Sequence, residues 1–211
     1  MTHYPNLTEF RERQIKENKT FLKGKLFLEF GVFKGASLLM YHSAYKDNKI
    51  KPYFFGFDAF KGLPEEKEDK YSPWHTGQFN LDGVINPELL DKEGVEIIPG
   101  WFSDTLNDET VKKFGKKKAG FVHVDCDIYS STVEVLEFLV TNDLLADGAL
   151  IVYDDWGAWK NAHLPEGSEY LIAEGRAHKE IAEKYDLDFE FVHTEVIDPA
   201  YYYITTFRYN K

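Results

Sequence analysis

Short apolar runs recur along this chain, each stopping at or against a glycine or an acidic residue, and they decide most of what it can fold into. They occupy residues 25–30, 52–58, 95–99, 120–125 and 149–154, and they close at Gly31, Asp58, Gly100, Asp125 and Asp154. Nearly continuous hydrophobic runs of this length suit strands buried on both faces, as in a parallel sheet covered by helices. Helical spacing fills the gaps between them. Residues 36–45 bring Leu38, Leu39 and Tyr41 to one side, residues 131–145 do the same with Val135, Leu136, Phe138 and Leu139, and residues 169–185 read as another long helix. The rhythm breaks near the C-terminus, where residues 189–196 and 201–209 flank the turn signal Ile197-Asp198-Pro199-Ala200. The prediction is one α/β domain over residues 1–211, with a seven-stranded, mostly parallel sheet, an antiparallel C-terminal hairpin and helices on both faces.

Residues 60–85 fit no regular element. They carry the charge run Glu65-Glu66-Lys67-Glu68-Asp69-Lys70, followed by Tyr71, Trp74, His75 and Gly77. Long structureless segments inside compact domains tend to be lids or binding loops, and the aromatics favour a lid over a solvated insert.

Charge narrows the choice of partners. With 25 Lys+Arg against 36 Asp+Glu the net charge is -11, and such a surface repels phosphate backbones and anionic lipids. That argues against nucleic acid or a membrane as partner. The densest basic stretch, Lys112, Lys113, Lys116, Lys117 and Lys118, includes Phe114 as its one aromatic and reads as a solvated helix end. Cys126 is the single cysteine, no apolar run approaches the roughly 18–20 residues of a membrane helix, and the first residues lack an apolar signal core. The expectation is a soluble cytoplasmic protein.

Three features carry chemistry. Glu29-Phe30-Gly31-Val32-Phe33-Lys34-Gly35-Ala36-Ser37 sits at a strand-to-helix junction, where glycines allow a tight turn and the helix start offers unpaired N–H groups. Its spacing is G-x-x-x-G rather than the dinucleotide G-x-G-x-x-G, and Glu29 disfavours a pyrophosphate while suiting a cationic amine. Asp58, 23 residues beyond Gly35, ends the second strand, where a carboxylate either accepts hydrogen bonds from a ribose diol or caps a loop. Finally, Asp125 and Asp127 follow the fourth run while Asp154 and Asp155 follow the fifth. Adjacent strands would gather these carboxylates at the C-terminal edge of the sheet, where open α/β folds bind ligands. Packed together they repel, and a hard divalent cation such as Mg²⁺ resolves the conflict.

At this point the motifs resemble a known family. LEFGVFKGAS (28–37), GFDAFKGLP (56–64), GWFSDTL (100–106), HVDCDIYSST (123–132) and GALIVYDDW (148–156) look like the class I S-adenosylmethionine-dependent methyltransferases, close to the macrocin O-methyltransferases, which are metal-dependent sugar O-methyltransferases. The blocks stand in the family's order. The resemblance implies a Rossmann-like class I methyltransferase fold, with Glu29, Gly31 and Gly35 at the methionine end of S-adenosylmethionine and Ser37 in the same motif. It implies Asp58 at the ribose, Trp101, Phe102 and Ser103 near the adenine, and Mg²⁺ on Asp125, Asp154 and Asp155. The implied reaction is Mg-dependent methylation of a hydroxyl on a small molecule, a sugar or glycosylated metabolite, in carbohydrate or natural-product biosynthesis.

An alcohol is a poor nucleophile until its proton is removed, and coordination by Mg²⁺ would lower its pKa. Asp125 or Asp127 would accept that proton, with the loop histidines His75 and His163 less favoured. His123, inside the fourth run, reads as a packed core residue. Trp74 and Trp156, with Trp159 and Tyr71, would wall an acceptor pocket, since sugars stack on aromatic faces. Two rival classes share such a sheet. A nicotinamide-dependent oxidoreductase would need the dinucleotide glycines that are absent here, and a non-catalytic nucleotide- or sugar-binding module would not need the acidic cluster. The sequence leaves the acceptor's identity open and is compatible with a homo-oligomer.

Overall fold

The computed structural model describes residues 7–156, 172–198 and 202–211. The strands are β1 (Leu26–Phe30), β2 (Phe54–Asp58), β3 (Val95–Pro99), β4 (Ala119–Val124), β5 (Leu145–Tyr153), β6 (Asp188–Asp198) and β7 (Tyr202–Asn210). The helices are α1 (Leu7–Leu22), α2 (Ala36–Asp47), α3 (Pro87–Leu90), α4 (Phe102–Thr105), α5 (Asp108–Phe114), α6 (Tyr129–Thr141) and α7 (Ala173–Tyr185). Pro199, Ala200 and Tyr201 of the expected hairpin, together with Trp159 and His163, lie outside the described residues.

All seven strands form one sheet in the order β3-β2-β1-β4-β5-β7-β6. The first five run parallel, and β7 is antiparallel to both β5 and β6, as the sequence predicts. Strand side chains alternate between two cores. Leu26, Leu28, Phe30, Val122, Val124, Ile151 and Tyr153 meet the α5, α6 and α7 residues Phe114, Val135, Leu139, Ala177 and Ile181 on one face. Phe27, Phe121, Leu150 and Val152 meet Ile15, Leu22, Leu38, Tyr41 and Tyr45 of α1 and α2 on the other. The aromatic richness of the chain is spent here: Phe27 stacks between Phe54 and Phe121 at 4.2 and 5.2 Å.

Several bounds differ from the sequence expectation, among them the helix expected over 131–145, which is Tyr129–Thr141, and the start of β5. β5 starts at Leu145 instead of residue 149, because Asp147-Gly148, a turn signal in isolation, is carried inside the strand with Gly148 at φ 84. Helix α1 is not among the elements read from sequence. Its composition is dominated by charged residues, yet Phe10, Ile15 and Leu22 are buried against the sheet. The lysine-rich stretch does end a helix, and its charges are answered by Glu96 on Lys113 and Asp143 on Lys118.

Strand order reverses between β1 and β4, which opens a crevice at the carboxyl ends of the strands. Gly31 sets how closely those ends approach. It lies at φ 88, and a Cβ there would stand 1.7 Å from the Asp125 carbonyl oxygen. Gly31→Ala is therefore expected to destabilise the fold by about 2–4 kcal/mol, combining left-handed strain with a backbone clash. Gly77→Ala, also at positive φ but in open space, should lose about 1 kcal/mol, and urea unfolding of the two variants measures the difference.

Candidate active site

The glycine turn is braced by an acid from the next strand. Asp58 Oδ2 accepts the backbone N–H groups of Val32 (2.8 Å) and Phe33 (2.7 Å), while Oδ1 accepts that of Phe60 (2.6 Å). A carboxylate offers about four lone-pair positions, so one remains for a ligand. Both sequence readings of Asp58 thus describe what it does or has room to do. Gly35 closes the turn at φ 83, with its N–H on the Val32 carbonyl, and a Cβ there would stand 2.6 Å from the Leu89 side chain.

Around this turn lies a cavity of about 410 Å³. Its lining includes Gly31, Asp58, Trp101, Phe102 and Ser103 together with Asp125, Asp127, Asp154 and Asp155. Leu63, Pro64, Trp74 and Phe79 of the 60–85 segment complete the wall. That segment is ordered by its own hydrogen bonds, from Leu63 N to Gln78 O and from Gly77 N to Leu63 O, and by Trp74 packing on Phe79 at 5.5 Å.

Other residues singled out from sequence stand away from the cavity. Glu29 is fully buried beneath the turn and accepts the Ser37 hydroxyl at 2.5 Å. Neither residue lines the cavity, nor does Gly35. Trp156 turns into an aromatic cluster with Tyr153, His178 and Phe207 at centroid distances of 5.2, 5.2 and 4.9 Å.

The acidic edge resolves into two overlapping groups. Ligand atoms of Asp125, Asp127 and Asp155 lie within 4.8 Å of one another, and so do those of His123, Asp125 and Asp154. Asp127 reaches its position through a left-handed backbone, φ 64, directly after β4. Burial, then repulsion from neighbouring carboxylates, raises Asp125, Asp127 and Asp155 well above the usual carboxylate range. Dense oxygen donors whose charge is this unfavourable suit a hard divalent cation, so the donor set fits Mg²⁺ chemically.

Asp154 is balanced differently. Its Oδ1 accepts from Arg11 Nη2 at 2.9 Å and from His123 Nε2 at 3.1 Å, both buried. Burial alone would pull His123 down, but Asp154 and the Glu29 carboxylate 3.7 Å from its other nitrogen outweigh it and hold the imidazole at about 10. His123 is therefore packed, as the sequence suggests, and also a buried cation linking two carboxylates.

Three functional neighbours escape the sequence reading. Arg11 sits on the unassigned α1, where its place between Phe10 and Ile15 on the buried face is the available signal. Glu174, in the first turn of α7, is fully buried and accepts Cys126 N at 3.1 Å and Asp155 N at 3.0 Å. Asp69, inside the charge run, is buried against the start of α7.

Comparison with known proteins fits this geometry. A family model described as Macrocin-O-methyltransferase (TylF) matches residues 4–184. The 8-demethyl-8-(2,3-dimethoxy-alpha-L-rhamnosyl)-tetracenomycin-C 4'-O-methyltransferase of Streptomyces olivaceus is 28% identical over 145 residues, covering 61% of this chain and 52% of that protein. The chain spans about half the length, 52%, of the curated relatives it matches. The solved O-methyltransferase NovP superposes with a TM-score of 0.69 at 18% identity, covering 97% of this chain and 79% of its own. TomG of Streptomyces achromogenes, solved with SAM, gives 0.54 at 17% identity over 97% of this chain and 80% of its own. These likenesses establish the fold as the Rossmann-like class I methyltransferase arrangement.

Removing Arg11 should leave Asp154 buried with one counter-charge fewer. Arg11→Met is expected to destabilise the fold by about 3–5 kcal/mol, and Arg11→Met with Asp154→Asn by clearly less than the sum of the single changes. A urea double-mutant cycle measures both.

Proposed function

The chain belongs to the macrocin O-methyltransferase family, whose model spans residues 4–184, and from this we propose that it transfers a methyl group from S-adenosylmethionine to a hydroxyl of a sugar-bearing small molecule, with a divalent cation such as Mg²⁺ at the acidic edge. The observation that carries the reading is one cavity with two chemically distinct lips: the glycine turn with Asp58 and Trp101, and the edge with Asp125, Asp127, Asp154 and Asp155. A rhamnosyl substrate in the name of the Streptomyces olivaceus relative supports a sugar-bearing acceptor, as does an aromatic wall containing Trp74.

S-adenosylmethionine, when bound, supplies an electrophilic methyl on sulfur, and a divalent cation, when held, favours the alkoxide form of a nearby hydroxyl. Asp125, Asp127 and Asp155, whose ligand atoms gather together, would hold the cation, whereas Asp154, which the family resemblance adds to the set, groups with Asp125 and His123 instead. Trp101, Phe102 and Ser103 would border the adenine, and the remaining lone pair of Asp58 would accept from the ribose. Gly31 exposes backbone at the methionine end, while Glu29 and Ser37 act beneath it by fixing the turn. Asp127 takes the acceptor's proton: burial makes its carboxylate a stronger base than one in water, which suits proton removal from an alcohol. The cavity walls bring acceptor and donor together and keep bulk water from competing for the methyl.

Asp127→Asn should lower kcat by about 10²–10³-fold while S-adenosylhomocysteine affinity by calorimetry stays within twofold. Chelation with EDTA should abolish transfer, and added Mg²⁺ should restore it. Full turnover after exhaustive chelation would refute the cation's role. Asp58→Ala should weaken S-adenosylhomocysteine binding at least about tenfold, with Mn²⁺ affinity retained. Because Asp58 also braces Val32 and Phe33, this comparison is made well below the variant's unfolding temperature.

A further inference from the structure

Glu65, Lys67, Glu68 and Lys70 of the charge run in the 60–85 segment are exposed, but Glu66 is half-buried and Asp69 is buried. Helices α6 and α7 are preceded by Ile128 and Ile172 at their N-cap positions, and neither supplies a side-chain cap. The caps come from the segment instead. Glu66 Oε2 accepts Ser130 N at 2.8 Å at the start of α6, and Asp69 Oδ2 accepts Ala173 N at 2.8 Å at the start of α7. The other oxygens tie the run to itself: Glu66 Oε1 accepts from Glu68 N and Asp69 N, and Asp69 Oδ1 accepts from Tyr71 N. Arg176 of α7 adds a bond to the Glu68 carbonyl at 2.8 Å while lying 4.0 Å over the Tyr129 ring. This run lies between Pro64 and Trp74, two residues of the cavity wall.

The residue after Ala173 is Glu174. Its two oxygens accept one N–H from each of the loops that carry the acidic edge, Cys126 after β4 and Asp155 after β5. A single buried carboxylate thereby fixes the separation of Asp125 and Asp127 from Asp155. Ala173 itself is held at φ 43, an unfavourable conformation for a residue with a Cβ, and the Asp69 bond is on its N–H.

We propose that Asp69 and Glu174 are positioning residues that form a relay, in which seating of the cavity wall through Asp69 sets the start of α7 and so, through Glu174, the spacing of the two carboxylate loops. Closing over an acceptor and holding a cation are then thermodynamically coupled, and the coupling is reciprocal. This inference rests on the cation reading above, and the test separates the two.

The relay is read with neither acceptor nor turnover, by titrating Mn²⁺ into the full chain and counting free ion by electron paramagnetic resonance. Asp69→Ala is expected to weaken Mn²⁺ binding about tenfold, the scale at which residues that orient metal ligands act. Asp69→Asn keeps an oxygen for Ala173 N–H and should stay within about threefold of the parent. S-adenosylhomocysteine affinity should move less than twofold in both. Reciprocally, saturating Mn²⁺ should slow hydrogen exchange at the Ala173 amide of the parent at least fivefold, a readout that remains if Asp69→Ala fails to fold. Mn²⁺ that binds the parent but is indifferent to Asp69→Ala, or leaves the Ala173 amide unchanged, overturns the relay alone. A parent that binds no Mn²⁺ overturns the cation reading and the relay with it.

Discussion

Gathering several carboxylates out of water at one sheet edge is the constraint on which the rest of this structure depends. An isolated buried carboxylate is strongly unfavourable, and close neighbours compound the penalty. The chain answers it unevenly. Asp154 receives Arg11 and His123, Glu174 receives two backbone N–H groups, and Glu29 receives the Ser37 hydroxyl and the facing imidazole. Asp125, Asp127 and Asp155 keep the mutual repulsion that raises all three. His123 offsets only part of that penalty on Asp125 and Asp155, and the trio lines the cavity, so the unfavourable charge stands where a ligand can relieve it.

The strand pattern was legible because each parallel strand is short, continuous and stopped by a residue with a backbone reason to be there. Gly31 is the clearest case: the G-x-x-x-G spacing marks a turn, and the structure adds that no Cβ fits between β1 and the Asp125 carbonyl. The acidic edge was legible for the same reason, since strand ends in a parallel sheet must converge. Helix α1 was not, because its buried face mixes Phe10 and Ile15 with Arg11 and Gln14, a polar pattern that reads as solvent-facing until the partners Asp154, Tyr41 and Thr206 are known. Those partners lie up to 192 residues away, beyond any local periodicity.

The run Glu65-Glu66-Lys67-Glu68-Asp69-Lys70 makes the complementary point. Its composition is that of a solvated stretch, and Lys67 and Lys70 are indeed exposed. Glu66 and Asp69 are three residues apart and find two helix starts whose own cap positions hold isoleucines. Sequence shows a missing cap only as an absence, at Ile128 and Ile172, and cannot say which distant acid fills it. Trp74 was read as a wall candidate from its chemistry, but the two carboxylates that anchor the run preceding it in the chain were not.

Acids of one type therefore do different work here according to what donates to them. Where backbone N–H groups converge, as on Asp58 and Glu174, the carboxylate is a brace, and removing it loosens two chain segments at once. Burial and the neighbouring Asp155 still raise Glu174 well above the usual carboxylate range. Where a fixed cation converges, as on Asp154, it is half of a buried pair whose orientation is set by the partner. Where neither converges, as on Asp125, Asp127 and Asp155, the group keeps its basicity and its appetite for a counter-ion. The division follows from how α7 meets the strand ends: Glu174 holds one N–H from the loop after β4 and one from the loop after β5, while the aspartates of those loops line the cavity. A chemistry that needs a base and a cation beside an electrophile can be built only from the last kind, and the first two kinds are what keep that last kind in place.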